Sequence, residues 1–239
     1  MDNQIKKDIK KYLKEIKNLR KERIVYKNKK YLVEFGFVGP IITKKGKFQL
    51  YPLEVKNGKW GRHYFLVYPN LKTLLKQKEI QIRIESGCYS GMTLGDNTCD
   101  CSGQLSKSQE ICIQNGSGII INMPTQDGRG YNEDLKMANQ KIMDDYNLNT
   151  IETAIMFYGN IDNIDKRTYE ESFILLKALG FNKKHKFSLL TNNPLKIKAF
   201  QDSEFEFYNY KSIKSKNCNY IKKHIDAKIK YCNHNFNVK

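Results

Sequence analysis

Three of the chain's six cysteines fall in one short stretch, CYSGMTLGDNTCDC, running from Cys88 to Cys101. Cys88, Cys99 and Cys101 follow the pattern C-x10-C-x-C. Thiolates gathered in this way suit a borderline-soft cation, zinc above all. Three protein ligands leave the fourth tetrahedral position for water, as in catalytic zinc sites. Water held there ionises near a pH of about 7. The competing reading is packing: cysteine is often buried near strand ends as a small apolar residue. Cys112 falls on an expected helix and reads as core. Cys218 and Cys232 lie near His224 and His234 without tight ligand spacing, and are not read as a second site.

The elements that must position these residues are legible from periodicity. QIRIES (81–86) reads as a strand ending just before Cys88. QLSKSQEICIQNG, after Cys101, reads as a helix closed by Gly116. Upstream, YLVEFGFV, KFQLYPLEV and RHYFLVY read as strands punctuated by Gly58 and Gly61. Downstream come a short buried strand in GIIINMP and helices in EDLKMANQKIMDDY and TYEESFILLKALGF. FSLLT reads as a strand and NPLKIKAF as a helix with Pro194 near its first position. FEFYNY is a further strand, and NYIKKHIDAKIKYC is a terminal helix. A β-rich first third followed by alternating strands and helices predicts a mixed α/β (α+β) fold. Ile5, Ile9, Leu13, Ile16 and Leu19 recur at helical spacing and predict an amphipathic helix over 4–23. Residues 1–30 are expected to be a basic helical extension, and 31–239 one domain.

The formal charge of +17 over 239 residues raises the possibility of a nucleic-acid partner. Its distribution argues against one. Residues 1–30 carry a net +8 and residues 211–239 a net +7, which leaves +2 for everything between. The excess sits on two terminal segments that read as solvated helix faces. No apolar run reaches the roughly 18 residues of a membrane span, and the N-terminus lacks the apolar stretch of a signal peptide. A cytoplasmic, reducing setting with no membrane partner is expected.

Four blocks of the sequence together resemble the GTP cyclohydrolase II family. RIESGCYSGMTLGDNTCDCSGQL is similar to its zinc motif, with the same cysteine spacing. QDGRG (126–130) is similar to its Q-E-G-R segment, and DKR (165–167) to its D-x-R. LLTNNPLK (189–196) is similar to its L-L-T-N-N-P-x-K. The resemblance covers about residues 38–235. It implies an enzyme of riboflavin biosynthesis that opens the imidazole ring of GTP at C8, releasing formate and pyrophosphate. It implies one zinc per chain on Cys88, Cys99 and Cys101, Mg²⁺ with the nucleotide, and a homodimer.

The resemblance also assigns site residues. It puts Arg83, Gln104, Asp127, Gly128 and Arg129 around the nucleotide, with Thr150, Thr191 and Lys196. The residue types fit. A carboxylate such as Asp127 can accept two N–H groups of a guanine edge, and Arg129 can hold phosphate oxygens bidentately. Gly128 and Gly130 allow close backbone approach. Thr191 and Lys196 flank a helix start, where free N–H groups suit phosphate. The resemblance implies Asp165 and Arg167 as catalytic. Arg167 suits charge neutralisation at the transferring phosphorus, since arginine stays protonated. The family's residue before the first cysteine is glutamate, and here it is Gly87. Its tyrosine after the Gly-Arg block is replaced by Gln140. A variant stopping at the 5-formylamino intermediate or using another nucleotide, and a non-catalytic zinc-stabilised nucleotide- or RNA-binding protein, are the alternatives.

Overall fold

The computed structural model describes residues 3–213 and 219–235. Strands β1 (Arg20–Tyr26), β2 (Lys29–Phe35), β3 (Gly39–Ile42), β4 (Lys47–Val55) and β5 (Arg62–Tyr68) are followed by β6 (Glu79–Glu85), β7 (Gly118–Asn122), β8 (Lys186–Leu190) and β9 (Glu206–Lys211). They form one sheet in the order β1-β2-β4-β5-β7-β6-β8-β9, with β3 on β4. Neighbours from β1 to β7 are antiparallel, whereas β7, β6, β8 and β9 run parallel.

The helices are α1 (Asn3–Lys17), α2 (Leu71–Leu74), α3 (Tyr89–Thr93), α4 (Cys101–Gln114), α5 (Glu133–Tyr146), α6 (Thr150–Tyr158), α7 (Glu170–Ala178), α8 (Pro194–Gln201) and α9 (Asn219–Cys232). They cover both faces of the sheet. On one face Phe173, Leu175 and Leu176 of α7 and Phe200 of α8 pack on Ile80, Ile82, Ile84, Ile119 and Ile121. On the other, Cys112 of α4 packs with Ile120, Leu66 and Phe48. Each such side chain contributes about 1.5–3 kcal/mol by leaving water. Cys112 is core, as its helix position implies.

The period-2 rule explains β6. Ile80, Ile82 and Ile84 enter the larger core. Arg83 and Glu85 share the opposite face, and both are almost fully buried. Two charges facing one way at a strand's end mark where the sheet stops being only a scaffold.

The extension differs from the expectation. The helix stops at Lys17, and residues 20–26 form the edge strand β1, in register with β2 from Arg20↔Phe35 to Tyr26↔Lys29. Four charged residues, Arg20 to Arg23, lead into Ile24, Val25 and Tyr26, and Tyr26 is fully buried. The pairing partner decides for strand over helix. No residue of α1 is buried. Among the described residues no helix is long and apolar enough to cross a membrane.

Candidate active site

The loops after the parallel strands all emerge at one end of the sheet, where such folds place ligands. The loop after β6 begins with Cys88, which starts α3; Cys101 starts α4. The Sγ atoms of Cys88, Cys99 and Cys101 lie within 4.8 Å of one another, and Cys88 and Cys99 are 3.6 Å apart. Tetrahedral zinc with bonds of about 2.3 Å needs sulfurs about 3.8 Å apart, so the three thiols fit the ion. Space is made for them by Gly91. A Cβ there would overlap Cys99 Sγ and sit 3.2 Å from Cys88 Sγ. Hydrogen bonds from the Cys101 and Cys99 thiols, and the nearby Lys136 charge, hold Cys88 well below the usual thiol range. Its hydrogen bond to Cys88, and then to Cys99, holds Cys101 up.

A buried polar chain runs from the cysteines into the sheet. Arg83 donates to Glu85 Oε1 at 2.6 Å, to the Leu190 carbonyl at 2.9 Å and to Gln104 Oε1. Gln104 donates onward to Asp100, between the two later cysteines. Glu85, outside the site set expected from the sequence, thus fixes Arg83. Lys196 Nζ donates to the Ile84 carbonyl at 2.7 Å. Burial first, and then the Arg83 charge, bring its pKa down to about 7. Thr191 is buried at the end of β8, and its hydroxyl accepts from the Asn193 N–H at 3.1 Å.

The loop after β7 winds through three consecutive left-handed residues, Gly128, Arg129 and Gly130, with φ of 58°, 59° and 79°. A Cβ at Gly130 would meet Trp60 at 2.9 Å and the Arg167 amide at 3.2 Å, so glycine is required twice over. This winding turns Arg129 inward, where it donates to Thr150 Oγ1 at 2.9 Å. Asp127 accepts from the Tyr89 N–H at 2.8 Å, the Gly128 N–H at 2.7 Å and Lys136 Nζ at 2.9 Å. Its oxygens thus tie α5 to the start of α3, and Asp127 lines the cleft. Lys136 also reaches Cys88 Sγ at 3.2 Å.

Asp165 and Arg167 form a two-pronged pair, with Arg167 Nε 2.8 Å from Asp165 Oδ1. Burial opposes ionisation of Asp165, but the Arg167 charge and the hydrogen bonds from Arg167 together outweigh it, and the carboxyl falls below its usual range. Arg167 is raised above its own, as Tyr169 and Asp165 outweigh burial. It is a fixed cation, suited to stabilising phosphoryl charge rather than to nucleophilic attack. Burial first and Arg167 second push Arg129 down, so an anion between the two guanidiniums would relieve both.

All thirteen residues singled out in the sequence line one cleft of about 580 Å³, within the range of small-ligand sites. Residues 39–211 match GTP cyclohydrolase II. The chain belongs to the GTP cyclohydrolase II family. Among curated relatives, the riboflavin biosynthesis protein RibBA of Porphyromonas gingivalis is 32% identical over 177 residues, 74% of this chain and 41% of that one. GTP cyclohydrolase-2 of Campylobacter fetus is 34% identical over 155 residues, 65% and 72% of the two chains. GTP cyclohydrolase-2 of Picrophilus torridus is 26% identical over 174 residues, 72% and 82%. The chain thus spans less than half of the RibBA relative's length. The solved structure of RibBX, a two-domain 3,4-dihydroxy-2-butanone 4-phosphate synthase from A. baumannii, aligns over 76% of this chain and 40% of that one, with a TM-score of 0.41 and 19% identity.

Within the GTP cyclohydrolase II region, Lys136 is the residue that motif reading missed. Its distance in sequence from the cysteines hides a role that appears only once α5 folds over them. Gln140 also lines the cleft, one helical turn further along α5, and Tyr158 lines it from α6. Of the second cysteine group, Cys218 lies outside the described residues.

Proposed function

We propose that the chain hydrolyses GTP, opening the imidazole ring at C8 and releasing formate and pyrophosphate, to give 2,5-diamino-6-ribosylamino-4(3H)-pyrimidinone 5′-phosphate. The observation that carries this reading is the convergence of three zinc-fitting thiols and two half-buried arginines, Arg129 and Arg167, in one cleft. A ring chemistry and a phosphate chemistry need those two kinds of group side by side. Zinc on Cys88, Cys99 and Cys101 supplies Lewis-acid activation of water. The protein's own residues do the rest. Lys136 and Asp127 brace Cys88, and Gln104 and Arg83 hold the buried edge of the cleft. Arg129, Arg167 and Lys196 take the phosphate charge, with Mg²⁺ accompanying the nucleotide. A cytoplasmic homodimer in riboflavin biosynthesis completes the proposal.

A second reading is favoured by Gln140. Cleavage of the formamide left by ring opening needs a proton for the departing amine. A glutamine can orient water but cannot supply that proton as an acid. The product then retains the formyl group. Incubation with GTP, Mg²⁺ and zinc, followed by mass identification, tests both readings. The complete reaction gives stoichiometric formate at early times. A stalled one accumulates a product heavier by one carbonyl, and Gln140→Tyr then restores formate release. Unchanged GTP under all these conditions refutes the assignment.

A further inference from the structure

The terminal helix α9 and the turn after it lie outside the residues that match the family, 39–211, yet they form one wall of the cleft. They are anchored on two sides. Ala227, Tyr231 and Cys232 pack with Ile151, Ala154 and Ile164 around α6, and the Tyr231 hydroxyl donates to Glu152 Oε1 at 3.0 Å. Asn233 then turns the chain back in the left-handed region, with φ of 52°. The Asn235 N–H donates to the Asn192 carbonyl at 3.1 Å, and Ser212 Oγ donates to the Asn235 carbonyl at 3.0 Å. The wall is thus tied to the β8–α8 junction that carries Thr191 and Lys196.

Two side chains of this wall face charges of the site. Lys228 Nζ stands 3.8 Å from Asp100 Oδ1. That is an attraction beyond hydrogen-bond length, so the ammonium keeps donors to offer. His234 lines the same cleft as Lys228, Arg167 and Lys196. Burial first, and then those three cations in that order, hold its pKa down to about 3, with Asp165 acting the other way. Around His234 three cations stand against one carboxylate, Asp165, a surround that suits an anionic partner. A phosphoryl group has the charge and the acceptor oxygens to be that partner, with lysine as a point charge and a neutral imidazole as an N–H donor.

We propose that α9 is part of the substrate site, and that Lys228 and His234 bind the phosphoryl groups of a nucleoside polyphosphate, adding to the cations of the family motifs. This rests on the reading of GTP as substrate.

The test is calorimetric binding of the α,β-methylene analogue of GTP, in which the bond broken on pyrophosphate release is blocked, to the full chain as purified, with Mg²⁺. Lys228→Gln weakens binding about 10- to 100-fold, the range of hydrogen bonds to charged groups. His234→Gln weakens it less, and Lys228→Arg, which keeps the charge, stays within about 3-fold of wild type. Melting curves show that each variant is folded. A wild-type chain that binds no guanine nucleotide overturns the substrate reading itself. A wild-type chain that binds, with Lys228→Gln and His234→Gln binding equally well, overturns the wall alone. So does Lys228→Arg failing as badly as Lys228→Gln, since charge would then not be the reason.

Discussion

Gly91→Ala separates metal binding from folding with a single methyl group. The added Cβ would overlap Cys99 Sγ and stand 3.2 Å from Cys88 Sγ, inside the roughly 3.5–4.0 Å of a comfortable contact. Without metal, the Cys99 side chain can rotate away, and alanine in place of glycine in α3 gains up to about 1 kcal/mol of helix propensity. With zinc bound, Cys99 Sγ cannot move. Displacing it by on the order of 1 Å far exceeds the ±0.2 Å that a metal–ligand bond tolerates. Losing one of three thiolates from a site worth about 10–16 kcal/mol removes about 3–5 kcal/mol, or roughly 100- to 4,000-fold in affinity. The two effects have opposite signs. Melting of the chelator-treated protein is expected to stay level or rise slightly. Competition against a chromophoric chelator, with elemental analysis, is expected to show zinc lost at concentrations that saturate wild type. Unchanged zinc affinity in a folded Gly91→Ala protein would refute the assignment of the cluster as the metal centre.

Other perturbations follow from the same contacts. Arg167→Ala abolishes pyrophosphate release and destabilises the fold by about 1–3 kcal/mol, because the part-buried Asp165 is left without its partner. Asp165→Ala in addition recovers stability without recovering release, and release at the wild-type rate in Arg167→Ala would sink the role given to the pair. His63 is fully buried, and burial holds its pKa near 4 in the fold, against an ordinary 6.5. Its stabilising effect is whole above pH 6.5 and fades as pH falls toward 4, by about 3 kcal/mol in all. Urea titrations across that window should show a shallower loss for His63→Gln, and an identical slope counts against the argument. Removing residues 1–18 leaves turnover nearly unchanged, since no residue of α1 is buried. A collapse of kcat in that folded variant would show that α1 serves the site or the assembly. Cutting through residue 25 is expected to destabilise the protein, because it removes β1 from β2.

Local signals carried much of the fold. The α5 and α9 segments coincide with their apolar periods, and α5 is capped by Asn132 accepting from the Leu135 N–H. The alternation in β4 and β5 and the cysteine spacing are likewise local. What escaped was non-local. The β1 strand depends on its ladder with β2, so its run of charged residues blends into the preceding helical pattern. The helix α6 is short and apolar, and its one clear signal was the Asn149–Glu152 capping box, which is easily passed over without a strong period behind it. In the site, positions 83, 129, 165 and 196 were readable through the motifs that resemble the family, since a lone arginine or aspartate in a turn carries no such signal. The engagement of Asp127 by Lys136, Tyr89 and Gly128 was not, since it needs three loops to meet.

The parallel half of the sheet has a consequence for how this cleft can change. The loop after β6 carries the thiols, and those after β7 and β8, its two neighbours, carry Arg129 and Lys196. Adjacent strands are spaced at about 4.8 Å, so the flanking loops spring from points roughly 10 Å apart with the thiol loop midway. Backbone ladders set that width, and no loop side chain enters into it. The sheet is a gauge against which a ligand is measured. Selection for a different nucleotide can exchange the groups along the gauge, one residue at a time, but a ligand of another span would demand a different strand order.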